Sequence, residues 1–301
     1  IVNGQRIRGY LNGELTIDNN FCVDRQKGCV GLGLSSCIAR FENFIVTSLP
    51  STPLIKSQPV KLDLKKIIAH RGASAIAPEN TLVAAQKAIV LGMGAVELDV
   101  RFTKDEVPIL LHDSSIDRTT NGRGRVDDYT LLELSRFDAG SWKGDAFRGE
   151  KIPTLEEVLR RFVGTNCSVV LDMKSSKALK KVVQSLKKFK MFDQSWVISS
   201  DTSLLKEMYS YDKRLRTGFL CRGFSKGLST TNRQLSWLKR KLREGKCKVV
   251  SIEYKSLSAD IVRGLHKAGI EVWAWTVNEE VLIRELLAWG VDRVTSDSAG
   301  D

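Results

Sequence analysis

Residues 94–112 read Gly94-Ala95-Val96-Glu97-Leu98-Asp99-Val100-Arg101-Phe102-Thr103-Lys104-Asp105-Glu106-Val107-Pro108-Ile109-Leu110-Leu111-His112. The β-type run over 94–101 is followed almost at once by a second, Val107 to His112. A parallel crossover needs a dozen or more residues, so the second run must fold back on the first through Thr103-Lys104-Asp105-Glu106. That removes it from the parallel series. Outward from this hairpin, β-type runs at 66–69, 94–101, 168–173, 195–199, 215–221, 248–253, 270–276 and 292–296 alternate with helical patterns. Eight such strands in about 240 residues match a closed (β/α)8 TIM barrel better than an open doubly wound sheet. Helix signals agree. Thr154 and Glu157 form a capping box after Pro153, and Asn80 or Thr81 caps a helix running through Leu91. The stretch from Ser114 to Glu150 is too long for a connection and reads as a small inserted lobe above the barrel mouth.

The barrel pattern begins after a proline- and serine-rich linker over residues 49–63, which contains Pro50, Pro53 and Pro59. Residues 1–48 read as a short all-β segment. Asn12-Gly13 joins Arg6–Leu11 to Glu14–Asp18 as a two-residue hairpin, because both turn positions need positive φ. Val30–Leu34 and Ile38–Val46 are further candidate strands. Through Tyr10-Leu11-Asn12-Gly13-Glu14-Leu15, Gly31-Leu32-Gly33 and Phe41-Glu42-Asn43-Phe44, the segment resembles the last strands of a concanavalin-like or laminin-G-like β-sandwich, and so is expected to be a fragment of one. The organisation expected is thus 1–48 β segment, 49–63 linker and 64–301 barrel.

With 301 residues and 42% hydrophobic content, the chain can bury a sizeable core. No apolar run approaches the roughly 18 residues that span a bilayer, and residues 1–20 lack a signal-peptide pattern. The net charge of +12 is concentrated in two helical stretches, 177–190 and 233–248. The plain reading is a solvated helix face; the functional one is attraction to an anionic membrane surface. Nucleic acid is not expected, since these stretches carry little aromatic interleaving and no reading motif. Six cysteines, with no Cys-x-x-Cys pair, exclude a zinc site of that type. A staple among Cys22, Cys29 and Cys37 tilts the compartment expected toward an extracytoplasmic or secreted one.

The chemistry sits at strand ends. Glu97 and Asp99 are two apart on one strand and share a face, and Asp172 ends another. Three converging carboxylates suit a hard cation such as Mg²⁺ or Ca²⁺. His70, Arg71, His112 and Lys174 belong to the same ring of strand ends. Histidines beside a metal and cations make a set able to cleave a phosphodiester.

His70-Arg71-Gly72, Ala77-Pro78-Glu79-Asn80-Thr81, Glu97-Leu98-Asp99-Val100, Thr103-Lys104-Asp105, His112-Asp113 and Asp117-Arg118-Thr119-Thr120-Asn121-Gly122 resemble the glycerophosphodiester phosphodiesterase family. So do Asp138-Ala139-Gly140-Ser141-Trp142, Ile152-Pro153-Thr154-Leu155-Glu156-Glu157-Val158, Trp275-Thr276-Val277-Asn278 and Gly290-Val291-Asp292, in order from about residue 65 to 298. The resemblance implies a (β/α)8 barrel with metal ligands Glu97, Asp99 and Asp172, acid/base histidines His70 and His112, and phosphate contacts Arg71 and Lys174. Where Asp172 stands the family usually has glutamate, so metal choice and affinity are affected. The implied reaction is attack on phosphorus by the substrate's own glycerol hydroxyl, then opening of the cyclic phosphate by water, giving glycerol 3-phosphate and an alcohol. Trp275 either lines the alcohol or acyl side of the pocket or packs outward, and His266 is read as structural. Two alternatives stand beside this reading: a lysophospholipase D working on lysophospholipids at a membrane surface, and a non-catalytic phosphodiester- or glycan-binding protein. The two histidines speak against the second, since a pure binder has no use for them beside a metal.

Overall fold

The computed structural model describes strands within residues 2–20 and the stretch 62–298 apart from 226, 227 and 229. The chain divides into two units, Ile1–Val60 and Lys61–Asp301. In the first, β1 (Val2–Asn3), β2 (Arg6–Leu11) and β3 (Glu14–Asn20) form an antiparallel sheet. Leu11 is paired with Glu14, the register that a two-residue hairpin loop produces. The candidate strands 30–34 and 38–46, the staple among Cys22, Cys29 and Cys37, and nearly all of the linker lie outside the described residues.

In the second unit eight parallel strands close on themselves: β4 (Ile67–His70), β5 (Ala95–Phe102), β7 (Ser168–Met173), β8 (Ser195–Ser199), β9 (Thr217–Cys221), β10 (Val249–Glu253), β11 (Glu271–Trp275) and β12 (Arg293–Ser296). Closure is made by β12 against β4 and β4 against β5. Every strand lies within about two residues of its sequence prediction. The short β6 (Pro108–Leu110) runs antiparallel to the far end of β5, with Val100 opposite Leu110. This is the foldback that the four-residue spacing required. Leu111 N donates to Asp99 O at 3.0 Å, so Leu111 faces Asp99 and His112 lies one residue farther on.

Helices α1 (Leu82–Val90), α3 (Leu155–Phe162), α4 (Leu179–Lys188), α5 (Thr202–Tyr211), α6 (Thr231–Glu244), α7 (Ala259–His266) and α8 (Glu280–Ala288) ring the barrel; α2 (Leu131–Leu134) is a single turn in the inserted lobe. Their apolar stripes and the outward strand residues make the main core, to which Val96, Leu98, Val100, Leu171 and Leu186 belong. Inside the barrel, Ile68, Ala95, Val170, Trp196, Ile198, Val249 and Trp273 form a separate plug, with Trp196 and Trp273 edge to face at 5.3 Å. The plug fills the lower half and leaves the mouth open. The lobe over 114–150 closes on its own satellite core of Ile116, Val126, Leu134 and Ala139 with Ile109, Leu111 and Ile152. On α4 the apolar stripe is buried and Lys180, Lys187 and Lys188 are exposed, the arrangement of a packed helix with a solvated face. No helix among the described residues is long and apolar enough to cross a membrane.

Candidate active site

The period of two along the strands aims Glu97, Asp99 and Asp172 into the barrel while Leu98 and Leu171 face the helices. Register does the rest: His70 pairs with Glu97, and Asp99 with Asp172 on the adjoining strand. All three carboxylates are buried, and one oxygen from each lies within 4.8 Å of the others. Oxygens sharing one Ca²⁺ at 2.3–2.6 Å are at most about 5 Å apart, so the spacing suits a divalent cation. Lys174 Nζ contacts Asp172 and, at 2.9 Å, Asp99 Oδ1. One ammonium does not neutralise the group. Burial, then the charge of Asp99, pushes the Glu97 carboxyl up to about 8. Asp172 is also raised, by burial first, against the pull of Lys174. Asp99 moves down: burial opposes its charged form, but Lys174 and Arg71 outweigh it. Such an electron-rich, partly protonated set is one that a divalent cation would complete.

The two histidines are held in parallel fashion. His70 Nδ1 is 2.6 Å from Asp297 Oδ1, and His112 Nδ1 is 2.7 Å from Asp113 Oδ1. His70 is raised above its ordinary value, because the Asp297 hydrogen bond and the charge of Glu97 exceed the opposing effect of burial. Asp297 is held down at about 2, where its bonds to His70 and Asn278 overcome burial. Arg71 occupies left-handed backbone (φ 55°) ahead of Gly72 (φ 85°), and its N–H donates to Glu97 Oε2 at 3.0 Å. A Cβ on Gly72 would lie 2.6 Å from that of Ala84, so the turn that presents Arg71 requires glycine there.

A cavity of about 440 Å³ joins these groups. His70, Arg71, Glu97, His112, Asp172 and Lys174 line one side, and Arg222, Ser251, Glu253, Trp275 and Thr295 stand on the other. Asp99 lies beneath the lining. Trp275 is therefore a wall of the cavity, and Trp273 plugs the barrel below it. Among the described residues, Arg71 Nε and the Trp275 indole N–H are buried without a hydrogen-bond partner. Arg71 Nε still lies 3.4 Å from Asp99 Oδ2, whereas the Trp275 N–H is a donor available to a ligand in the cavity.

The model of the "Glycerophosphoryl diester phosphodiesterase family" matches residues 70–301. This chain belongs to that family. Glycerophosphodiester phosphodiesterases of Bacillus subtilis and Caldanaerobacter subterraneus are 32% and 31% identical, over 84% and 77% of this chain and 89% and 93% of theirs. Among solved structures, an Oleispira antarctica phosphodiesterase in complex with the product sn-glycerol-3-phosphate is 29% identical. It superposes with a TM-score of 0.71 over 78% of this chain and 93% of its own.

Around the family's motifs the fold gathers residues that sequence reasoning passed over as site members. Asp297 directly follows β12 and met the same strand-end criterion that singled out Asp172. Asn80, one of two candidate helix caps, is instead committed to Asp99, donating to Oδ2 at 2.7 Å and accepting from its N–H at 3.0 Å; Thr81 caps α1. Glu79, Asp113 and Arg118 stood inside quoted motifs without a role. They form an ion-pair chain next to Arg71 and His112. His266 lies away from the cavity lining, bonded to Asp292 Oδ2 at 2.9 Å.

Proposed function

We propose that this protein is a divalent-cation-dependent phosphodiesterase that hydrolyses glycerophosphodiesters to glycerol 3-phosphate and an alcohol. The observation that carries the reading is the meeting of three clustered, buried carboxylates, of which Glu97 and Asp172 line the cavity and Asp99 lies behind it, with two carboxylate-backed histidines. A metal site without histidines would bind phosphate but would not move protons; histidines without the acids would lack an anchor for the cation. Family membership and the glycerol-3-phosphate product of the Oleispira relative support the same substrate class.

In this reading Glu97, Asp99 and Asp172 hold the cation, Mg²⁺ or Ca²⁺. When bound, it polarises the phosphoryl group and offsets charge that develops in the transition state. Arg71 and Lys174 bind and orient the phosphate through charge-assisted hydrogen bonds. His70 and His112 exchange protons with the attacking and departing oxygens, one as base and the other as acid. Their Asp297 and Asp113 partners fix each ring's tautomer, and Asp297 also favours the charged form of His70. Trp275 walls the cavity on the side of the alcohol. Asp172, one methylene shorter than glutamate, reaches less far and bears on cation choice. The catalytic domain is 64–301, with residues 1–48 a separate β segment joined through 49–63.

The lysophospholipase alternative calls for an apolar groove on the inserted lobe. Ile116, Val126, Leu134 and Ala139 are turned into the lobe's own core, and among the lobe's large apolar side chains only Leu132 and Trp142 are exposed, so deacylated substrates fit better. The test is release of glycerol 3-phosphate from glycerophosphocholine with Mg²⁺, Ca²⁺ or EDTA, with lysophosphatidylcholine in parallel and His112→Ala as control. Metal-dependent turnover of the deacylated substrate, lost in the control, is expected. Turnover of only the acylated substrate, or of neither, would overturn the proposal.

A further inference from the structure

Arg118 opens the inserted lobe, and its guanidinium uses both of its edges. Nη1 and Nη2 donate to Glu79 Oε2 and Oε1 at 2.8 Å each, while Nε donates to Asp113 Oδ2 at 2.6 Å. Each of those carboxylates has a second engagement. Glu79 Oε1 accepts from Arg71 Nη1 at 2.9 Å, and Asp113 Oδ1 is 2.7 Å from His112 Nδ1. A continuous chain thus runs Arg71–Glu79–Arg118–Asp113–His112. It joins a residue in the turn just after β4 to a residue beyond the β5–β6 hairpin, and the two have no direct contact among the described hydrogen bonds. Glu79 is held below the ordinary carboxylate range because both arginines outweigh its burial, so it stays an acceptor throughout neutral pH.

We propose that Glu79 and Arg118 are positioning residues that set His112 and Arg71 in register with each other across the cavity. The inference rests on the proposed phosphodiesterase reading, in which Arg71 grips the phosphate and His112 exchanges a proton with an oxygen of the same phosphorus. Those tasks must be performed on one substrate, and a small error in relative placement is costly in rate. A guanidinium is suited to the task because it is flat and its donors diverge at fixed angles, so gripping two carboxylates also fixes the angle between them. A lysine in its place would supply the same charge from a single flexible point. The geometry of Arg118, and not merely its charge, is the functional property. Its side chain is 45% exposed, so replacing it leaves no buried cavity.

The experiment compares Arg118→Lys, Arg118→Met and Glu79→Gln with wild type on glycerophosphocholine, recording kcat, KM and the melting temperature of each. Both Arg118 variants are expected to lower kcat about tenfold or more, with KM within about threefold and the melting temperature within a few degrees of wild type. Glu79→Gln is expected to lower kcat and also raise KM, because it loosens Arg71. In an Arg118→Met background, its effect on kcat disappears and its effect on KM remains. Wild-type kcat in Arg118→Lys would overturn the inference, as would rate losses that track loss of folded protein or Glu79 and Arg118 effects on kcat that simply multiply. A wild-type protein inactive with every cation would instead remove the phosphodiesterase reading, and this inference with it.

Discussion

Replacing Asp297 with asparagine isolates what the carboxylate does for His70 at nearly constant shape. The amide keeps an oxygen that can accept from His70 Nδ1 and from the Ser74 hydroxyl at 3.3 Å, while the bond from Asn278 Nδ2 at 3.0 Å is given up, because the amide NH2 then faces that donor. What His70 itself loses is the charge. A hydrogen bond to a charged partner is worth roughly 1.5–3 kcal/mol; because the Asp297 side chain is 40% exposed, solvent screening favours the lower end. At 1.36 kcal/mol per factor of ten, about a tenfold loss in kcat follows. KM should change little, since Asp297 does not contact the phosphate-binding residues. The sign of the pH effect is also determined. Burial lowers the His70 pKa, while Asp297 and Glu97 raise it, so removing the Asp297 charge lets it fall. Whichever limb of the kcat–pH profile belongs to His70 must move toward acid. The assay is glycerol 3-phosphate release from glycerophosphocholine across pH 5–9 at saturating cation. A variant within threefold of wild type at every pH, or one whose limbs stay in place, would refute the claim that Asp297 orients and charges His70.

Other outcomes follow from the same structure. With Glu97 pushed up to about 8 in the metal-free protein, cation binding at pH 7 must displace a proton. Affinity should therefore fall about tenfold per pH unit below 8; titration calorimetry in buffers of different ionisation enthalpy reads the released proton, and an affinity independent of pH would disprove it. Asp297, held at about 2, contributes stability above the ordinary carboxylate pKa of about 3.9 that is lost as pH falls through 2. The raised His70 contributes below about 6.5 and loses its share as pH rises through its folded value. Thermal melts of metal-free wild type and Asp297→Asn should therefore differ most between about pH 4 and 6.5. Gly72→Ala combines a backbone clash with Ala84 and a left-handed φ, at a cost of about 2–4 kcal/mol; urea denaturation measures it, and an unchanged midpoint would contradict the close-packed turn. Burial drives Cys167, Cys221 and Cys247 up to about 11, 11 and 12, so peptide mapping after iodoacetamide at pH 8 should find these three unlabelled until the barrel is unfolded.

Much of the site was legible because its information is local. Glu97 and Asp99 share a face because strands repeat every two residues, and that remains true in any sheet. The four-residue gap after Phe102 excluded a crossover, so the β5–β6 foldback followed from chain length alone. The order of motifs from His70 to Asp292 identified the family before any coordinates, since residue types at given spacings are enough for recognition. The choice between Asn80 and Thr81 as cap was not legible: both are good caps, and only the approach of β5 to the α1 N-terminus commits Asn80 to Asp99. The direction of Trp275 was equally open, because apolar aromatic residues serve the inside and the outside of a barrel strand alike.

Sequence by itself determined the strand set, the shared face of Glu97 and Asp99, and the chemical kinds of residue at the barrel mouth. These depend on pleat, helix periodicity and capping, each read within a few neighbouring positions. Tertiary structure alone decided which groups become partners. Asp297 meets His70 across 227 positions only because β12 closes the barrel onto β4, and Glu79 meets Arg118 across 39 because the lobe docks beside the β4–α1 turn. Strand order and register set those distances, and they are properties of the closed sheet as a whole.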